Sequence, residues 1–259
     1  MGSRIILHQN RMIGRFGNFK WNGIFHFNIQ ILKNELCINL KEYLVLMQAE
    51  YLKETFFFDY RSPHIQDLIS EFKSLDSDKE KISGLYLKVR DTWRYSPYHI
   101  GFTDKHYKSS YISTKVEAHC LDKSILYVSG LRGLDIPARL RLAKVSNHIA
   151  TERLEEKLGS NEIAPHGLVE VYFEGEWAKC SPAFNKELCD MYNVAPLEFD
   201  GCKDSVFQEY NRDSEKFMEY LEDYGSFSDV PLDFIKNTFK ESYPKLYELY
   251  KGKEEIRIS

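Results

Sequence analysis

His119-Cys120-Leu121-Asp122-Lys123-Ser124-Ile125-Leu126-Tyr127-Val128-Ser129-Gly130-Leu131-Arg132-Gly133 is apolar nearly all round between Leu121 and Leu131. That is the pattern of a helix buried inside a domain rather than laid on its surface. Gly133 is the expected C-terminal stop. The helix begins at a cysteine. The first N–H groups of a helix have no intrahelical partner and its dipole favours an anion, so a thiolate on Cys120 is stabilised there. A helix N-terminus together with an adjacent imidazolium brings a cysteine pKa from roughly 8.5 into the roughly 3.5–7.5 range, which makes the sulfur nucleophilic at neutral pH. Asp122, in the first turn, favours the same terminus.

Downstream, Ile136-Pro137-Ala138-Arg139 leads into a short apolar strand, Leu140–Val145, with Arg139 expected to anchor the strand entry by an ion pair. A polar insertion with Asn147-His148 and a helical Thr151–Leu158 follows. His166-Gly-Leu-Val-Glu-Val-Tyr-Phe-Glu-Gly-Glu-Trp177 then reads as a hairpin whose two-residue turn is Glu174-Gly175. In that register Phe173 opposes Glu176, Leu168 opposes Ser181 and His166 opposes Ala183. His166 and Ser181 share a face as diagonal neighbours, roughly 7–8 Å apart at the backbone, and Cys180 points the other way.

Upstream, Ser62-Pro63 is an N-cap followed by proline at the first helical position, and Ile65, Leu68, Ile69 and Phe72 recur at helical spacing. A second amphipathic helix starts near Asp78, with Ile82, Leu85, Tyr86, Val89 and Trp93 on one stripe; both stripes read as core. A Tyr- and Ser-rich stretch, 101–116, leads to Cys120. The C-terminal third reads as irregular and helical, with a helix after Asp229-Val-Pro231 through Ile235 and Phe239. Residues 1–46 carry scattered aromatics and asparagines with weak alternation. They are expected to be an extension dispensable for the fold, and 47–259 a single domain.

The chain has 259 residues, 43% of them hydrophobic, and a net charge of −4. Residues 1–46 hold six of the 35 Lys/Arg and two of the 39 Asp/Glu, so the remainder carries −8. An acidic body argues against nucleic acid as a partner. The five cysteines (37, 120, 180, 189, 202) are odd in number and include no C-x-x-C pair, so a reduced, cytoplasmic setting is expected, without a disulfide framework or a metal site. No run approaches the ~18 apolar residues of a membrane span, and Ile6 stands where a myristoylation signal has Ser or Thr.

Asn147-His148-Ile149-Ala150, His166-Gly167, Trp177-Ala178-Lys179-Cys180-Ser181-Pro182-Ala183-Phe184-Asn185, Phe199-Asp200-Gly201 and Met218-Glu219-Tyr220, with the Cys120 helix, resemble the transglutaminase-like superfamily of papain-related cysteine enzymes. The likeness runs from about Tyr51 to Tyr243. It is greatest to a bacterial subgroup with Thr or Ser before Pro-Ala-Phe-Asn, where most of the superfamily has Asp-Pro. The resemblance implies an α+β, papain-like transglutaminase-core fold, in which a buried helix starting at the nucleophilic cysteine packs on an antiparallel sheet. Its core would span about 85–185, followed by a helical and irregular segment, 186–259. It implies Cys120 as nucleophile, His166 as general base and no cofactor.

The group that orients His166 has three candidates: Ser181 by position, Asn185 by analogy with the Cys-His-Asn arrangement of papain-like proteases, and a carboxylate, Asp200 or Asp204. A neutral orienter fixes the tautomer but gives up charge stabilisation of the imidazolium, so slower chemistry is expected. The oxyanion hole is expected from the Cys120 N–H and a donor in 107–116. Tyr111, Asn147, His148 and Trp177 are the expected contacts to a peptide or amide substrate. The expected activity is cysteine-dependent amide hydrolysis or acyl transfer through a thioester; the alternative is a catalytically silent peptide-binding module of the same fold.

Overall fold

The computed structural model describes residues 48–148 and 151–258, within a compact unit running from Leu46 to Ser259. The expected extension, 1–46, and Ile149-Ala150 lie outside the described residues.

Helix α1 (Pro63–Leu68) opens with Ser62 at its N-cap and Pro63 at the first helical position, where the missing N–H is one that no helix satisfies. Helix α2 (Asp78–Thr92) is capped by the Ser77 hydroxyl, which accepts the Glu80 N–H at 3.4 Å. Its stripe of Ile82, Leu85, Tyr86 and Val89 is buried, as the helical period predicts. After the short α3 (Ser109–Ile112), α4 (Cys120–Gly133) runs through the centre, with every residue from Cys120 to Arg132 buried.

The helix stops differently from the expected way. Gly133 is still helical and Leu134 is the C-cap, while Asp135 takes the left-handed conformation at φ 62°. Gly133 serves packing instead: a Cβ there would lie 2.8 Å from Ile69 Cδ1.

Helix α4 packs on a four-stranded antiparallel sheet of order β6-β5-β4-β7, formed by β4 (Ala138–Asn147), β5 (Glu162–Phe173), β6 (Glu176–Cys180) and β7 (Met218–Phe227). The β5–β6 hairpin has the predicted register, from Phe173 opposite Glu176 to Val169 opposite Cys180. Its turn places Glu174 at φ 51° and Gly175 at φ 93°, the pair of positive angles that a tight hairpin turn needs. Strands β4 and β5 exceed the short apolar runs expected because both faces of the sheet are covered. Leu140, Leu142, Val169 and Val171 pack with α4 in one core, and Ala143, Val145 and Leu168 pack with Phe217 and Met218 in another. Strand β7 was not expected. Leu221, Glu222 and Asp223, at its centre, are exposed on the sheet edge, so the segment reads as polar.

Two buried cations pin α4. Arg132 donates to the Ala138, Lys53 and Ser228 carbonyls at 3.0, 2.9 and 2.7 Å, fixing the helix end to the start of β4. Lys123 donates to the Arg90 and Ala183 carbonyls at 2.7 and 2.8 Å, tying the first turn to the end of α2 and to the segment after β6. Burial pulls its ammonium down to about 7. The remaining helices are α5 (Thr151–Leu158), α6 (Lys186–Met191), α7 (Leu232–Ser242) and α8 (Pro244–Tyr250). Short pairings join β1 (Arg94–Tyr95) to β3 (Glu117–Ala118) and β2 (His99–Gly101) to β8 (Glu255–Arg257).

Candidate active site

The turn that presents Cys120 is built by its neighbours. His119 is the N-cap: its Nδ1 accepts the Asp122 N–H at 3.2 Å, and Asp122 accepts the His119 N–H at 3.4 Å, a reciprocal capping box. Lys115 lies 3.0 Å from the Asp122 carboxylate. An acceptor role needs an unprotonated Nδ1, and burial, the largest influence on His119, lowers its pKa.

The Cys120 sulfur faces the Gly167 N–H of β5, as well as the N–H groups of Leu121 and of its own residue. Gly167 is required by this approach, since a Cβ there would lie 2.7 Å from Leu121 Cα and 3.0 Å from Leu121 N. On that side β5 has no strand partner, because β6 pairs only from Val169 onward. The thiol is 4% exposed. Burial outweighs the three N–H groups and pushes it up to about 11, the opposite of the depressed pKa expected from the helix terminus alone.

Cys120 lines an apolar cavity of about 60 Å³ together with Tyr95, Pro97, Phe102, Tyr107 and Phe239. The Tyr95 hydroxyl is buried without a hydrogen-bond partner among the described residues. Its ring stands edge-on to Phe184 at 4.9 Å, and its backbone N–H donates to Asn185 Oδ1 at 3.0 Å. From the 107–116 stretch only Tyr107 lines this cavity, and its hydroxyl already donates to the Gly101 carbonyl at 3.0 Å.

His166 pairs with Ala143 of β4 and is 2% exposed. Desolvation drops its pKa to about 4, and its Nδ1 has no hydrogen-bond partner among the described residues. Together with Ser181 it lines a cavity of about 10 Å³ on the face shared with Leu168. Ser181 is held by its backbone, the carbonyl accepting the Tyr86 hydroxyl at 2.8 Å and the N–H donating to the Ser205 carbonyl at 3.0 Å.

The other candidate orienters are engaged elsewhere. Asn185 spends Oδ1 on Tyr95 and donates Nδ2 to Glu187 at 2.6 Å. Asp200 pairs with Lys79 at 2.9 Å. Asp204 accepts the Lys179 N–H at 2.8 Å and lies 3.3 Å from its ammonium. None of these three lines the His166 cavity.

Of the expected substrate contacts, Asn147 is buried and lines a groove of about 380 Å³ that shares Tyr95 and Pro97 with the Cys120 cavity. Tyr111 lies in a separate cleft with Arg94 and Lys115. His148 faces Glu219 at 3.1 Å. Trp177 lies under the Arg139 guanidinium at 4.1 Å and meets Tyr51 edge-on at 5.0 Å, next to the hairpin turn; Arg139 in turn makes the expected ion pair, with Glu170 at 2.6 Å. Cys180 is buried in the core under α4. His119, Lys123 and Tyr95 were not singled out for the site, because each acts through a partner distant in sequence or through an unusual role, such as a histidine N-cap. Among the described residues no cluster of His, Cys, Asp or Glu could hold a metal ion, and no helix is long and apolar enough to cross a membrane.

A thiol at the start of a buried helix, set against the free edge of a strand that carries a histidine, defines a cysteine-based, enzyme-like α+β fold. Residues 66–182 match the transglutaminase-like superfamily. A solved structure, a candidate cysteine protease from Cytophaga hutchinsonii, is similar at 14% identity and a TM-score of 0.42 over 71% of this chain and 48% of that one. The present chain thus spans about half of that protein's length. None of the curated proteins compared is a match.

Proposed function

We propose that this protein is a cysteine-dependent amide hydrolase in which Cys120 is the nucleophile and His166 the base. The observation that carries the reading is the position of the Cys120 sulfur, which faces the Gly167 N–H one residue from His166 and lines an apolar cavity. His166 takes the thiol proton as sulfur adds to the amide carbonyl, and the carbonyl electrons move to oxygen. The Cys120 N–H and the Tyr95 O–H accept that oxyanion; Tyr95 is assigned because its hydroxyl is buried and uncommitted. Collapse returns the electrons, breaks the C–N bond and passes the proton from His166 to the leaving amine. Water, deprotonated by His166, then cleaves the thioester to a carboxylic acid and free thiol. The lining of Phe102, Tyr107 and Phe239 suits an aliphatic or aromatic acyl side.

The test is intact-protein mass spectrometry during turnover of activated esters and anilides carrying apolar acyl groups. An acyl adduct on Cys120, removed by hydroxylamine, absent in Cys120→Ala and formed roughly 10²–10⁴-fold more slowly in His166→Ala, is the expected result. Acylation confined to the exposed Cys202, or turnover unchanged in Cys120→Ala, would refute it. A second reading, a peptide-binding module without catalysis, is favoured by one feature: no carboxylate lines the His166 cavity. It predicts peptide binding with no adduct on Cys120.

A further inference from the structure

Two buried polar atoms without a hydrogen-bond partner among the described residues, His166 Nδ1 and Gln208 Oε1, belong to residues that line the same cavity of about 10 Å³. The other walls are the apolar residues Phe184, Leu197, Val206, Phe207 and Met218, with Ser181. Leaving either polar atom unpaired in such surroundings carries an uncompensated desolvation penalty, which a bond between the two would remove. We infer that Gln208 is the residue that orients His166, its side-chain oxygen closing across that space to accept the Nδ1–H directly.

The amide of Gln208 is already aimed. Its Nε2 donates to the Ala195 carbonyl at 2.6 Å, and a carbonyl only accepts, so turning the amide over would set oxygen against oxygen. Oε1 is therefore the atom left to the cavity. An amide oxygen accepts and never donates, so it selects the tautomer with the proton on Nδ1 and leaves the Nε2 lone pair as the base. The Ser181 hydroxyl donates or accepts equally well and selects neither tautomer. Gln208 is thus a positioning residue contributed by the segment between α6 and β7, forty-two residues beyond the histidine.

The inference rests on reading His166 as the base, and its test is independent of turnover. In the full-length chain with ¹⁵N-labelled histidine, the His166 imidazole is expected as the Nδ1–H tautomer at pH 7, and Gln208→Met is expected to mix the tautomers while Ser181→Ala leaves them unchanged. Gln208→Glu places a carboxylate on Nδ1 and is expected to raise the His166 titration midpoint by at least two pH units. It should also speed Cys120 acylation at pH 6–7 by about tenfold or more. A wild-type His166 carrying its proton on Nε2, or a Gln208→Glu midpoint unmoved in the folded protein, would overturn the assignment. If the tautomer and midpoint behave as expected while no variant acylates at Cys120, the positioning stands and the hydrolase reading falls.

Discussion

The two halves of the site are built in contrasting ways. The cysteine half is local: N-cap, proposed nucleophile, capping-box partner and buried anchor are four of five consecutive residues, His119 to Lys123, and the helix they start is specified by its own apolar pattern. The histidine half is assembled from β5, the turn after β6 and the segment before β7, which meet only in the folded chain. A nucleophile can be encoded by a short stretch, whereas the surroundings that set the base are a property of the tertiary structure. The two halves touch where Gly167 backs onto Leu121.

Perturbing that junction has the largest expected effect. Gly167→Val forces a branched side chain into a place where a Cβ alone would lie 2.7 Å from Leu121 Cα, and a loss of at least about 3 kcal/mol in unfolding free energy, read by urea titration, is expected. Tyr95→Phe acts on the cysteine half alone. Removing one oxyanion donor costs roughly 100-fold in the acylation rate, about 2.7 kcal/mol of barrier, with the melting temperature held or raised because an unpaired buried hydroxyl is lost. Lys123→Met releases the tie between the first turn of α4 and the Ser181 segment and orphans two carbonyls. A loss of roughly 1–2 kcal/mol, with amide exchange increased at 181–184, is expected. If Lys123→Met left both unchanged, the halves would be held together by the sheet alone.

The contrast also accounts for what the sequence disclosed. Cys120, the buried helix, the α2 stripe and the hairpin register follow from periodicity and a two-residue turn, all short-range signals. Strand β7 was missed because its exposed edge residues mask the alternation. The raised thiol pKa was missed because a helix terminus is visible in sequence while the degree of burial is not. Gln208 carries no local signal at all: it matters only because Ala195 fixes its amide and the chain returns it to His166.

The central claim is that burial holds both members of the pair neutral at rest, the thiol up to about 11 and the imidazole down to about 4, so that the proton moves only as the bond to sulfur forms. Following the ¹⁵N shifts of His166 from pH 3.5 to 9 tests it most directly. A group whose folded pKa is depressed is protonated only below that value, so a neutral imidazole throughout pH 5–9, with its midpoint near 4, is the predicted result. An imidazolium that persists to pH 8 and titrates together with the thiol would mean a preformed thiolate–imidazolium pair, and would contradict the account.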